Sequence, residues 1–177
     1  EDADNHSLAE TGYAKGVPMG GDLTQQGDRN KSPSFLVAAM KDPISGNLDR
    51  IQIIKGWRTT DGELHEKIYN IAWGDMATRS LSKNGVLQSV GDTVNVPEAT
   101  WQNTIGDPEL TAVWTDPDFD PLLKAFYYIR VIEIPTPRWT AYDQKRFGIK
   151  MSDEVPMKTQ ERAWTSPIWY APNGSHE

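Results

Sequence analysis

Three aspartates alternate through "WTDPDFDP" (114–121), at Asp116, Asp118 and Asp120. Alternating carboxylates open many calcium loops, because oxygen ligands at every second residue can wrap one hard cation. The best-known loop of that kind also needs a glycine at its sixth position and a bidentate glutamate at its twelfth. Counted from Asp116, those places hold Pro121 and Tyr127. Pro117 and Pro121 fix φ and stiffen the segment. Asp-Pro pairs are ordinary turn chemistry, Asp bonding to nearby amides while Pro presets the next φ. The stretch reads as a solvated turn between two strands. An irregular cation loop on Asp116, Asp118 and Asp120 is the alternative.

Histidine offers little more. His6, His65 and His176 are not spaced as metal ligands. In a strand Glu63 and His65 of "ELHE" share one face, which reads as a solvated charge cluster before a metal site. A serine triad would have to recruit His65, and no G-x-S-x-G turn displays a serine. "KGVPMGGDL" (15–23) lacks the G-K-[ST] ending of a phosphate loop, so Gly20-Gly21 reads as a plain turn. No catalytic or cofactor-binding residue is assigned. The 7 tryptophans and 6 tyrosines either fill a β core or line a binding face. Trp57 and Trp101, near strand ends, are the candidates for a flat platform against a polysaccharide. Trp73, Trp114, Trp164 and Trp169 are expected in the core.

Positioning these groups takes one domain of 177 residues. The net charge of −7 is spread along the chain without a basic cluster, which makes nucleic acid a poor partner. Absence of cysteine removes disulfides and thiolate chemistry. No apolar run nears the 18 residues of a membrane-spanning helix, so no span is expected. The polar opening "EDADNHSLAE" without a leading methionine suggests a piece of something longer.

Residues 1–33 read as a polar, irregular lead-in, 34–172 as the folded domain and 173–177 as a frayed tail. "SFLVAAMK" (34–41) is an apolar strand ended by the turn "DPISGN". "LDRIQIIKGW" (48–57) puts Ile51 and Ile53 on one face and Arg50 and Gln52 on the other. The Asp-Gly of "TTDGE" predicts a hairpin into "LHEKIYNIAW" (64–73), where Tyr69, Ile71 and Trp73 alternate with Asn70 and Ala72. Short strands are expected at 92–96, 100–105 and 110–115. "AFYYIRVIEI" (125–134), apolar on both faces, is expected to be central and covered on both sides. A short helix is expected near 142–147 and a last strand over 163–172, with Pro167 marking an edge or bulge. About seven short strands and little helix predict an all-β, immunoglobulin-like sandwich.

Six blocks carry a resemblance: "GYAKGVPMGGDL", "LDRIQIIKGW", "HEKIYNIAW", "WTDPDFDP", "AFYYIRVIEIPTPRWT" and "QERAWTSPIWYAP". Together, over residues 12–172, they resemble the C-terminal part of the bacterial domain-of-unknown-function family 3604. Full members are similar to PHP-type metal-dependent hydrolases, whose histidine and aspartate ligands lie upstream of this region. The resemblance implies that this chain brings no metal ligand or cofactor of its own, while the parent binds divalent metals upstream. It also implies a periplasmic or secreted setting and packing on the upstream catalytic domain. Tyr13, Lys15, Pro18, Met19 and Asp22 would be the connecting surface.

Overall fold

β-Branched and aromatic residues dominate the long extended segments, and a sheet is what they form. The computed structural model describes residues 8–23 and 31–172; His6, His176 and the 173–177 tail lie outside them. In chain order come α1 (Leu8–Lys15), β1 (Asp22–Leu23), β2 (Ser34–Met40), β3 (Leu48–Arg58), β4 (Leu64–Trp73), β5 (Glu109–Thr115) and β6 (Lys124–Glu133). Then follow β7 (Thr136–Pro137), α2 (Trp139–Phe147), β8 (Lys158–Thr159), β9 (Arg162–Trp164) and β10 (Ile168–Tyr170). The larger sheet runs β1-β10-β6-β3-β4, with β9 also on β6; β2 and β5 form a second sheet, and β7 pairs with β8. The fold is an all-β sandwich, as expected.

The core lies between the two sheets. Ile51, Ile53, Ala125 and Tyr127 of the larger sheet meet Phe35, Val37 and Leu110 of the smaller one. Phe35 stands 4.7 Å from the Tyr127 ring and 5.9 Å from Trp114. Thr59 N–H donates to Glu63 O at 3.0 Å and Gly62 has φ 95°, closing the β3–β4 hairpin at the Asp-Gly.

Several expectations change. The lead-in is not wholly irregular: Leu8–Lys15 is helical, and Asp22 and Leu23 pair in parallel with Trp169 and Tyr170. No strands form at 92–96 or 100–105, where only an isolated Asn95–Thr100 bridge stands. The chain turns back through Pro97 and Ala99 (φ 48°) before any ladder can grow. The alternation of β4 breaks at Ile71, because Ile51 faces Ala72 while Gln52 faces Asn70. That bulge sends Ala72 into the core. The last strand is split by Pro167 into β9 and β10, which lie one after the other along β6.

β6 is central, flanked by β3 and β10, but its outer face is only half covered. Phe126 fills the space opposite Gly56: a Cβ built on Gly56 would lie 2.3 Å from Phe126 Cζ. We expect Gly56→Ala to cost about 1–3 kcal/mol, the usual range for overpacking, read from urea midpoints. The cost should shrink in a Phe126→Leu background. An equal loss in both backgrounds would place the strain in the backbone instead.

Candidate functional site

The alternation of β3 carries Ile51, Ile53 and then Lys55 into the sandwich. Lys55 is only 4% exposed. Its Nζ donates to Asp116 Oδ2 at 2.6 Å and to the Asp118 carbonyl at 2.7 Å. Tyr127 Oη donates to the same Asp116 oxygen at 2.7 Å. Asp116 Oδ1 accepts the Asp118 N–H at 2.9 Å, and the Asp116 N–H reaches Pro33 O at 3.1 Å. The Trp57 and Tyr127 rings flank the ammonium, with centroids at 5.4 and 5.8 Å. Both oxygens of Asp116 are therefore committed, and a lysine ammonium stands where a cation would.

The other two aspartates do different work. Asp118 accepts from Lys67 Nζ and, at 2.6 Å, from Tyr69 Oη. Asp120 accepts the Leu122 N–H at 2.9 Å in a local turn. The segment is a turn whose Pro117, Asp118 and Asp120 are exposed, while Asp116, 1% exposed, belongs to the core. Among the described residues, no three His, Asp or Glu side chains gather where they could hold one ion.

Electrostatics follow from the packing. Burial, then the hydrogen bond to Asp116, pushes the Tyr127 phenol far above its ordinary range. Burial and Asp118 do the same to Tyr69. The Lys67 bond, helped by Tyr69, holds the Asp118 carboxyl below the usual carboxylate value. Lys55, Asp116 and Tyr127 form the buried part of a cluster that Lys67, Tyr69 and Asp118 continue to the surface, an arrangement suited to joining strands.

The remaining candidates are dispersed. His65 Nε2 lies 3.7 Å from Glu63 Oε2, both side chains being open to water. The His65 ring stacks on Trp57 at 5.2 Å and 16°, so Trp57 carries a neighbour on its ring. Trp101, on the long connection between β4 and β5, is half-buried. Tyr13 and Met19 are strongly exposed, and Lys15, Pro18 and Asp22 lie open on α1, the following turn and β1.

Of the four tryptophans expected in the core, only Trp114 packs against it; Trp73 is half-buried outside it, and Trp164 and Trp169 stand at the surface. Trp164 is 58% and Trp169 46% exposed. Register explains why. Trp169 is opposite Phe126 and Trp164 opposite Arg130, on the face of the larger sheet turned away from the smaller one. Phe126 stacks on Tyr128 at 6.4 Å and packs on Trp169 at 5.3 Å, and half-exposed Ile68 continues the patch across Ile54. A polar row borders it, Arg130 donating twice to Gln52 Oε1 and Gln52 donating to Asn70. Period-two alternation in β6 marks this face in the sequence; what it cannot mark is the lack of a covering layer.

The model of a family described as "Protein of unknown function (DUF3604)" matches residues 1–172. Neither a curated protein nor a solved structure matches.

Removing one partner of a buried pair strands the other charge. Lys55→Met or Asp116→Asn should therefore cost about 3–5 kcal/mol, against a few tenths for Asp120→Asn, by denaturant unfolding. Equal losses at Asp116 and Asp120 would refute this division of labour. With its folded pKa depressed, Asp118 contributes stability that is present above the unfolded value, about 3.9, and lost as pH falls through the folded one. Melting temperature should thus drop more steeply below about pH 4 in the natural chain than in Asp118→Asn; parallel curves would dismiss that role.

Proposed function

Because the chain belongs to the DUF3604 family, we propose that it is the non-catalytic C-terminal domain of a PHP-like metallohydrolase, packed on the upstream catalytic domain and steadying or shaping its cleft. The observation that carries this reading is the half-covered aromatic face of the larger sheet. Phe126, Tyr128, Trp164 and Trp169 share that face. Contiguous exposed apolar side chains, rimmed by polar ones, mark a surface that binds something, and tryptophan and tyrosine are enriched at the centres of such contacts. Asp22 pairs beside Trp169, which supports a role for the Tyr13–Leu23 segment as the connector. Divalent metals are then the upstream domain's concern.

A second reading, a carbohydrate-binding module, draws on the same exposed rings, since flat aromatic faces suit sugar rings. The two separate in the full-length protein. We expect Trp164→Ser/Trp169→Ser to lower its melting temperature and turnover while leaving the melting of the 177-residue chain nearly unchanged. Unchanged stability and turnover with lost polysaccharide binding would favour the sugar reading. Indifference in all three measurements would sink both.

A further inference from the structure

A cleft of about 280 Å³ opens at the start of β3, where Asp49 and Arg50 meet Ser89, Val90 and Gly91 of the long connection, and Gln160 from beside β9. The β3–β6 register slips between Leu48 and Arg50, and β3–β4 slips again between Ile51 and Gln52. Arg50 therefore sits between two irregularities of the kind that re-aim side chains.

The charges in this cleft do not balance. Asp49, 1% exposed, accepts from Arg79 Nη2 at 2.7 Å and from Gln160 Nε2 at 3.1 Å. Arg79 is fully engaged: besides Asp49 Oδ1, its guanidinium bonds the carbonyls of Asp49, Gly74 and Gln88. Arg50 Nη1 lies 3.5 Å from Asp49 Oδ2, an ion pair without a hydrogen bond. Two guanidinium groups thus share one carboxylate, and a positive charge is left over. Asp92, next in sequence to Gly91, is paired with Lys158. Arg50 Nε, moreover, is the one buried side-chain nitrogen or oxygen without a hydrogen-bond partner among the described residues. Ser89 Oγ accepts the Gly91 N–H at 3.2 Å, which leaves its own proton free to donate.

We propose that this cleft binds a small oxyanion, a carboxylate or a phosphate group, on the Arg50 guanidinium with the Ser89 hydroxyl as second donor. A guanidinium presents paired N–H groups that match the paired oxygens of such anions. Since Nε is closed off, the anion meets the outer nitrogens of a side chain that is 24% exposed. Volume sets the size class: ligand pockets for drug-sized molecules begin near 300 Å³, so the cleft suits a small anion or the anionic end of a larger molecule. This site is separate from the aromatic face and independent of the docking reading.

The test is a titration of the 177-residue chain with inorganic phosphate and, separately, acetate, at ionic strength held constant with chloride, followed by melting temperature and calorimetry. We expect a saturable rise with at least one anion. Arg50→Gln should weaken it roughly tenfold or more, while Lys124→Gln, which removes an equal charge from the exposed end of β6, should leave it intact. A response to phosphate alone would identify a tetrahedral ligand, and one to acetate a planar one. Should Arg50→Gln fail to fold, Ser89→Ala carries the test, with severalfold weaker binding expected. No saturable response to either anion overturns the proposal, as does a response that survives in Arg50→Gln or, where that variant does not fold, in Ser89→Ala.

Discussion

An ammonium group that cannot reach water must meet a carboxylate, and much of this sandwich is arranged around that requirement. Lys55 belongs to the larger sheet, whereas Asp116 follows β5 of the smaller one. Their contact fixes the two layers across the core, and Tyr127 brings β6 into the same oxygen. Desolvating both charges is expensive, and the pair repays it only because the geometry is tight and the remaining valences are filled. An ordinary apolar pair could supply as much stability. It would not hold one register as strictly, since a slip of one residue would turn Lys55 to the opposite face of the sheet.

A second buried pair does the same for the connection from Gly74 to Pro108, which has almost no ladder of its own. Arg79 collects carbonyls from Gly74, Gln88 and Asp49 and anchors them to the Asp49 carboxylate. Close backbone approach completes the anchoring. A Cβ on Gly74 would lie 2.6 Å from Gly106 Cα, so the two ends of the connection touch where neither can carry a side chain. The long irregular stretch is thus held by charge and by glycine, in place of a sheet.

What could be read in the sequence was local. The Asp-Gly hairpin, the Ile51 and Ile53 face, the strand over β6 and the helix ending near Phe147 all follow from short-range pattern. The burial of Lys55 does not, because its partner lies 61 residues away and nothing in "LDRIQIIKGW" announces it. Nor could "TVNV" show that it lacks a neighbour: β-branched residues favour a strand only where another strand is at hand. Trp164 and Trp169 illustrate the same limit from the other side. Their large apolar area argued for the core, yet pairing with β6 turns them outward. The candidate site was legible as three aspartates, but its meaning depended on which lysines the fold would deliver to them.

The parallel pairing of β1 with β10 brings Asp22 beside Trp169. Such a contact closes a loop of nearly the whole domain, and the entropy of loop closure grows with the length enclosed. The β1 edge therefore encloses the longest stretch of chain for only two paired residues, Asp22 and Leu23. Opening it would bare the backbone of β10, a three-residue strand, without disturbing Lys55 or Asp116. The domain thus has a margin that can exchange with solvent on a faster clock than its centre.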